Sequence, residues 1–333
     1  MKTSRLEQVR RLGLWVVLAV VVAAFAITSP TFRSSYNLLN ILEQNSVIGI
    51  VACGMTVMMI SGGFDLSVGA IGATASVVGA TIAVAGGGDA LAILGGLGIG
   101  LLIGIINGFL IAKVQINAFV TTFAMASIVS GLLFVATTAR STVGSTPIIK
   151  AAATAKIGAV PVVFLIFILC IAAVWFLLTR TRYGHYVYSV GGNSEASHLS
   201  GVPVQRVQML AFALGGTLAG LGGLLLLGQT DVGQPSAASA WPLEAIAICV
   251  VGGVALTGGV GRIVDVLAAT LLLGVIANGL NQISVSPYWQ PAVTGLVILG
   301  AVVLDQVNRR RRSTPKQPAS EIAPSPAPEE VPT

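Results

Sequence analysis

Few side chains of this sequence stand where they could do chemistry, and the first is Asp65. It lies in Ser61-Gly62-Gly63-Phe64-Asp65-Leu66-Ser67-Val68-Gly69, between two apolar stretches. A carboxylate at the centre of a lipid-facing helix costs about 3 kcal/mol on insertion scales, so such an acid belongs at an interface, in a packed helix break or beside a water-filled path. The Gly-Gly pair before it favours a break, and the same text also suits plain capping of the following helix with Ser67 nearby. The remaining polar candidates for a passage are Gln44, Asn45, Asn107, Asn117, Glu244, Asn278, Asn281 and Gln282. Amides and carboxylates between them donate and accept hydrogen bonds, which suits a hydroxyl-rich solute. Most of these residues fall near the ends of apolar stretches, where interfacial hydration explains them equally well.

Catalytic chemistry is harder to assemble. The chain has no Gly-Lys dipeptide, which excludes a P-loop for ATP. Both histidines, His185 and His198, fall in one polar stretch, so no histidine accompanies an embedded serine. Gly86-Gly87-Gly88-Asp89 spells the GxGD of intramembrane aspartyl proteases, but that chemistry needs a second carboxylate sharing the site. No Tyr-Asp partner motif exists, and Asp89 sits in a turn. Cys53, Cys170 and Cys249 each stand alone in apolar text, without CxxC spacing or a nearby histidine, and read as packing residues instead of metal ligands. No metal and no cofactor is expected on this chain.

The elements that must position these residues are membrane helices. With 55% hydrophobic and 9% charged residues and a mean hydropathy of +0.90, 333 residues have too little polar surface to cover a water-soluble globule. Glycine-rich apolar stretches near the roughly 20 residues that cross a bilayer recur along the chain. They do not alternate as barrel strands would, so the expected fold is all-α, a polytopic transmembrane helical bundle of about ten spans. The spans are expected at about Leu12 to Ile27, Tyr36 to Ile60, one ending near Ala85, one ending near Ala112, and Ala118 to Thr138. Five more follow at about Val160 to Thr179, Val207 to Gly228, Leu243 to Gly259, Ile263 to Gln282 and Trp289 to Leu304. The first of them ends in the A-x-A-like Ala24-Phe25-Ala26 of a secretory signal, yet reads better as an uncleaved span, because the rest is itself membrane-embedded. A longer polar loop is expected over Ala139 to Ala159.

Charge gives the orientation. The basic residues flank apolar spans instead of forming one patch, so the net charge of +6 reads as topology and not as nucleic-acid binding. With both termini in the cytosol, fourteen of the eighteen Lys and Arg residues fall inside, and only Arg33, Arg140, Lys150 and Lys156 fall outside. Trp175, Trp241, Tyr288 and Trp289 near span ends read as an aromatic belt. The longest polar segment between apolar parts, Thr181 to Gln208, then lies in the cytosol, where something soluble can read it. The organisation is a basic leader over 1–11, a transmembrane domain over 12–308 with its cytosolic loop at 180–206, and a Pro- and Ala-rich tail over 309–333 that is expected to be disordered.

An internal repeat is visible. SGGFDLSVG at Ser61 to Gly69 and VGGVALTGG at Val251 to Gly259 share Gly-Gly, Leu, Ser/Thr and Gly at matching positions, and Asn107-Gly108 and Asn278-Gly279 follow. Unequal spacing leaves open whether the repeat is parallel or inverted. Gly96, Gly100, Gly104 and Gly108 recur every four residues and mark a close-packing helix face, as do Gly216 and Gly220. A stand-alone, ion-coupled transporter using Asp65 and the glycine breaks is a second reading, with few membrane acids to favour it.

Three stretches carry a resemblance: NLLNILEQNSV with GMTVMMISGGFDLSVG, then TRYGHYVYSVGGNSEASHLSGVPV, then EAIAICVVGGVALTGGVGRIVDVLAATLLLGVIANGLN. Through them the chain resembles the permease subunit of ribose-type ABC importers, over about Tyr36 to Asp305. The resemblance implies import of a pentose or related monosaccharide, probed by a soluble extracytoplasmic sugar-binding protein. It implies a cytosolic ABC ATPase that binds the ATP and magnesium, and a second permease copy as a homodimer in the inner membrane. It also implies that the central cytosolic loop forms a coupling helix docking in the ATPase, through Arg182, Tyr183, Gly184, Gly191, Asn193, Glu195, Ala196, Ser200 and Gly201. His185 departs from the family, whose members often carry arginine or lysine there.

Overall fold

The computed structural model describes residues 5–286 and six scattered positions between 289 and 300. Apart from those positions, the expected tenth span, Tyr288 and the 309–333 tail lie outside the described residues. In chain order the helices are α1 (Arg5–Thr28), α2 (Ser35–Ile60), α3 (Val68–Val84), α4 (Gly88–Ala112), α5 (Ala118–Thr137), α6 (Pro147–Thr154), α7 (Val162–Arg180), α8 (Arg182–Gly192), α9 (Ser194–Leu199), α10 (Val204–Thr230), α11 (Trp241–Val251) and α12 (Ile263–Gln282). Among the described residues, α2, α4, α5, α7, α10 and α12 are long and apolar enough to cross a membrane, while Gly13–Thr28 of α1, α3 and α11 are shorter apolar helices. Helices start where a short polar side chain can occupy an orphan amide: Ser34 accepts from Asn37 N, Asn117 from Phe119 N, Thr181 from Gly184 N and Asn193 from Ala196 N.

The centre of the bundle is α2 and α10. Each buries 72% of its most apolar stretch inside the chain, against 17% for α5, which therefore turns most of its surface outward. The expected glycine faces meet each other. Gly100 backs onto the Gly216 carbonyl and Gly220 Cα, Gly104 onto the Phe212 carbonyl, and Gly108 onto Met209, so α4 and α10 approach backbone to backbone. All three cysteines are buried and free, with Cys249 Sγ 3.3 Å from Thr56 Oγ1.

Three expectations need correction. The loop over Ala139 to Ala159 is not merely a loop, since it holds α6 and short strands. β1 (Thr142–Val143) pairs antiparallel with β4 (Val232–Gly233), Thr142 opposite Gly233, and between them β2 (Lys156–Ile157) pairs with β3 (Val160–Pro161). The eighth span is not helical from Leu243 to Gly259. Gly252 and Gly253, the latter at φ +78°, end α11 at Val251, leaving a helix of 11 residues, about 16 Å or half the hydrocarbon thickness. Before it the chain runs back along α3, with Gly233 against Val77 and Ala80, and the Ala238 carbonyl against Gly69. Trp241, finally, is no belt residue. It is 8% exposed and fills the space left by Gly72 and Gly222, because α11 begins inside the core.

The two repeat nonapeptides take matching places. Each links a helix to a returning one, α2 to α3 and α11 to α12. α11 lies beside α2 in the same direction: Trp241 and Val51 both touch Gly222, Cys249 reaches Thr56, and Gly259 N donates to the Ile60 carbonyl at 2.9 Å. α12 returns antiparallel to α2, with Gly274 against Asn45 and Asn278 bonded to Asn37.

Candidate functional site

The polar stretch after Arg180 folds into a platform of two short helices. Thr181 turns the chain out of α7: its hydroxyl donates to the Leu177 carbonyl at 2.6 Å and accepts from Gly184 N at 3.2 Å. Gly184 lies directly on the carbonyls of Leu177 and Leu178, where a side chain has no room. Val187 and Val190 are buried beneath α8. Tyr183 donates its hydroxyl to the Val207 carbonyl of α10 at 3.0 Å, and Tyr188 donates to the Gly261 carbonyl at 2.8 Å. Burial pushes both phenols above their usual value of 10, with Arg262 partly opposing this at Tyr188, so both remain donors at neutral pH. Asn193 caps α9 by accepting from Ala196 N at 2.9 Å, Ser200 donates to the Ala196 carbonyl at 2.8 Å, and Gly201 closes the turn at φ +82°.

This geometry divides the nine residues that the family resemblance singles out. Tyr183, Gly184 and Gly191 face the bundle, and Gly191 rests against the Ile60 carbonyl and Gly259 N. Arg182, Asn193, Glu195, Ala196, Ser200 and Gly201 are exposed, as is His185. Leu199 is 81% exposed at the end of α9, an apolar side chain held out on a polar surface. Leu199 and Tyr188 were not among the expected residues. The i, i+3, i+4, i+7 spacing of Gly184, Val187, Tyr188 and Gly191 was the signal for the inner face of α8.

Asp65 lies in the break between α2 and α3, fully buried with Ser67 and Asn107. Its Oδ1 accepts from Ser67 N at 2.7 Å and from Ser67 Oγ at 2.6 Å, and its Oδ2 accepts from Asn107 Nδ2 at 3.1 Å. Asn107 Nδ2 also reaches Ser67 Oγ at 2.9 Å, while Asn107 Oδ1 is buried without a partner. The carboxylate thus caps the start of α3 and ties the break to α4.

The other polar candidates are not gathered around it. Asn278 exchanges two hydrogen bonds with Asn37, at 2.8 and 2.9 Å, and Gln282 donates to the same Asn37 at 3.0 Å, which clamps α12 to the start of α2. Asn45 donates to Ile41 O and backs onto Gly274, and Asn117 caps α5. Gln44, bonded to Asn40, and Asn281 are exposed, and Glu244 is partly exposed in the first turn of α11. Asp89 accepts from Ile148 N at 2.8 Å, so this acid anchors α6. At the other side of α6, Asp231 holds the Ser145 hydroxyl and meets Lys150 at 3.5 Å.

Long apolar helices packed through glycine faces, a helical platform at one end, and no group of metal-binding side chains among the described residues define a multi-pass helical membrane protein. The family model for the branched-chain amino acid transport system / permease component matches residues 37–302, and the chain belongs to that family of membrane permeases. It is 37% identical to the ribose import permease protein RbsC of Bacillus subtilis over 299 residues, 89% of this chain and 93% of the relative. It is 35% identical to the L-arabinose transport system permease protein AraH of Escherichia coli, covering 91% and 92%. Against the galactose/methyl galactoside import permease protein MglC of Escherichia coli it is again 35% identical, covering 93% and 98%. No solved structure matches the chain significantly. A permease component is not an enzyme, and the family does not favour the ion-coupled reading.

Proposed function

We propose that this chain is the transmembrane permease of an ATP-driven importer that carries a monosaccharide, a ribose-like pentose or related sugar, into the cytosol by alternating access. A separate cytosolic ABC ATPase binds ATP and magnesium and docks on α8 and α9, an extracytoplasmic sugar-binding protein delivers the solute, and two copies of the chain enclose the path. The observation that carries this reading is the platform itself: its inner residues are bonded to the ends of α7, α10 and the 252–262 segment, while Arg182, Glu195 and Leu199 point away from the bundle. A chain without a P-loop has need of such a surface, because work must enter from another subunit. The sugar class is supported by the names of relatives alike over nearly their whole length.

Both termini lie in the cytosol and the chain crosses ten times in this reading, the positive charge bias supporting it. The eighth crossing is composite, made of the extended 234–240 segment and α11. Of the residues offered for the path, Asp65, Asn107 and Asn278 satisfy one another or Asn37 within the chain, which leaves Gln44, Glu244 and Asn281 as the candidates that face out of the protomer. The test is reconstitution in vesicles with the partner ATPase and binding protein, and uptake of labelled ribose, arabinose and galactose. ATP-dependent accumulation of one of these is expected. An uptake that ignores ATP but collapses with an uncoupler would overturn the assignment.

A further inference from the structure

The C-terminal turn of α8 enters the bundle at the one place where the two repeat nonapeptides touch. Gly191 sits against the carbonyl of Ile60, the last residue of α2, and that same carbonyl accepts the hydrogen bond from Gly259 N at 2.9 Å. A methyl group on Gly258 would lie 2.7 Å from the Gly191 carbonyl oxygen and 2.9 Å from Gly62 Cα, and one on Gly259 would lie 2.7 Å from Gly192 Cα. The meeting chains are bare backbone, and Gly62, Gly258 and Gly259 all carry positive φ, +96°, +86° and +71°, which permits the tight reversal on each side. One bond in the next turn belongs to the same junction, from the Tyr188 hydroxyl to the Gly261 carbonyl at 2.8 Å.

We propose that Gly191 is an internal joint and not an ATPase-docking residue: it hands the displacement of α8 to the α2–α3 break and the α11–α12 break at the same moment. Side chains between moving parts would absorb displacement by changing rotamer, whereas packed backbone has no such freedom. The two breaks are joined to each other through Ile60 and Gly259 and to α8 through Gly191, so neither half moves with α8 alone. This inference rests on the proposed function for the source of the displacement, and the contact geometry carries the rest.

The adjacent residue supplies the control. A methyl group on Gly191 would strike the Ile60 carbonyl, whereas one on Gly192, exposed in the same turn, meets nothing within 4 Å. The experiment compares Gly191→Ala, Gly192→Ala and Tyr188→Phe in the full complex with ATPase and binding protein. Hydrogen exchange at 58–63 and 256–262 is read with and without the docked ATPase, beside uptake per ATP hydrolysed. In the unaltered chain and in Gly192→Ala, docking is expected to change exchange at both segments together. In Gly191→Ala the ATPase should still co-purify, the change should be confined to α8 and α9, and uptake per ATP should fall by about tenfold, as loss of a tight contact implies. Equal responses in the two alanine variants would overturn the joint, and so would loss of co-purification in Gly191→Ala, which would make it a docking residue. If Gly191→Ala does not reach the membrane, Tyr188→Phe decides: an unchanged exchange response at 256–262 refutes the proposal. A wild-type chain that binds no ATPase would refute the proposed function instead, so the two failures are distinct.

Discussion

Asp65→Ala and Asp65→Asn should differ sharply in stability, because the network around Asp65 can be rewired for one and not for the other. The carboxylate accepts from Ser67 N, Ser67 Oγ and Asn107 Nδ2, all without exposure to water. Alanine removes every acceptor. The Ser67 hydroxyl can turn elsewhere, but the Ser67 amide and the Asn107 amide group are fixed donors, each costing about 1–3 kcal/mol when left unsatisfied. The expected loss is therefore about 2–6 kcal/mol. In Asp65→Asn one side-chain oxygen still accepts from Ser67, and the new NH₂ group faces Asn107. A flip of Asn107 then offers its Oδ1, which has no partner now, to that group. The trade leaves about as many bonds as before, and the cost should stay near 1 kcal/mol, since a neutral bond replaces one to a charged acceptor. Detergent-solubilised protein followed by thermal unfolding or titration with a denaturing detergent measures the difference. A double-mutant cycle with Asn107→Ala should give a coupling energy of about 0.5–3 kcal/mol. Equal destabilisation by Ala and Asn would refute the rewiring, and no destabilisation by Ala would refute the capping role itself.

Other perturbations bear on packing, coupling and the outer surface. Gly100→Ala puts a methyl group against the Gly216 carbonyl and Gly220 Cα, whereas Gly98→Ala meets nothing within 4 Å; both gain the same helix propensity, so their difference in unfolding free energy should be about 1–3 kcal/mol, with Gly98→Ala the more stable. Gly184→Pro removes the amide that Thr181 caps and collides with α7, while Glu195→Arg reverses an exposed charge. Both proteins should insert in membranes yet transport little per ATP hydrolysed, and normal ATP-driven uptake by both would count against the platform. The Ser145 hydroxyl, with Lys150 adding less, holds Asp231 below its ordinary carboxylate value of 3.8. A depressed folded-state value means that the anchor is in full force above 3.8 and weakens only as pH falls below it. Protection from hydrogen exchange over 142–150, corrected for intrinsic rates, should hold from pH 7 to about 4, and a loss between pH 7 and 5 would contradict the arrangement.

Much of this molecule is readable from the sequence because lipid imposes a simple constraint. Backbone that crosses a bilayer must satisfy its own hydrogen bonds, so long apolar stretches become helices wherever they occur. The ninth expected span, Ile263 to Gln282, has the bounds of α12, and the second and fifth differ from α2 and α5 by a residue. The glycine spacing in α4 announced a close-packed face, since only the absence of a side chain lets two helix backbones meet. The two nonapeptides were visible as repeated text, and the residues of the platform as a polar stretch between apolar ones.

What the tertiary structure alone decided is which of those residues face one another. Periodicity cannot say that α11 starts inside the core, because apolar text reads alike whether it crosses the bundle or enters it halfway; Trp241 therefore passed for a belt residue until Gly72 and Gly222 were seen beneath it. Composition cannot distinguish an amide that lines a path from one that closes a gap, and only pairing across 241 residues of chain makes Asn37 and Asn278 a clamp. The same holds at Gly191. Its type signalled a tight place, and the carbonyl of Ile60, the amide of Gly259 and the bare backbone of Gly258 were needed to say what is tight against it. Local sequence sets the conformations a segment can adopt; contacts between distant segments set the use to which each side chain is put.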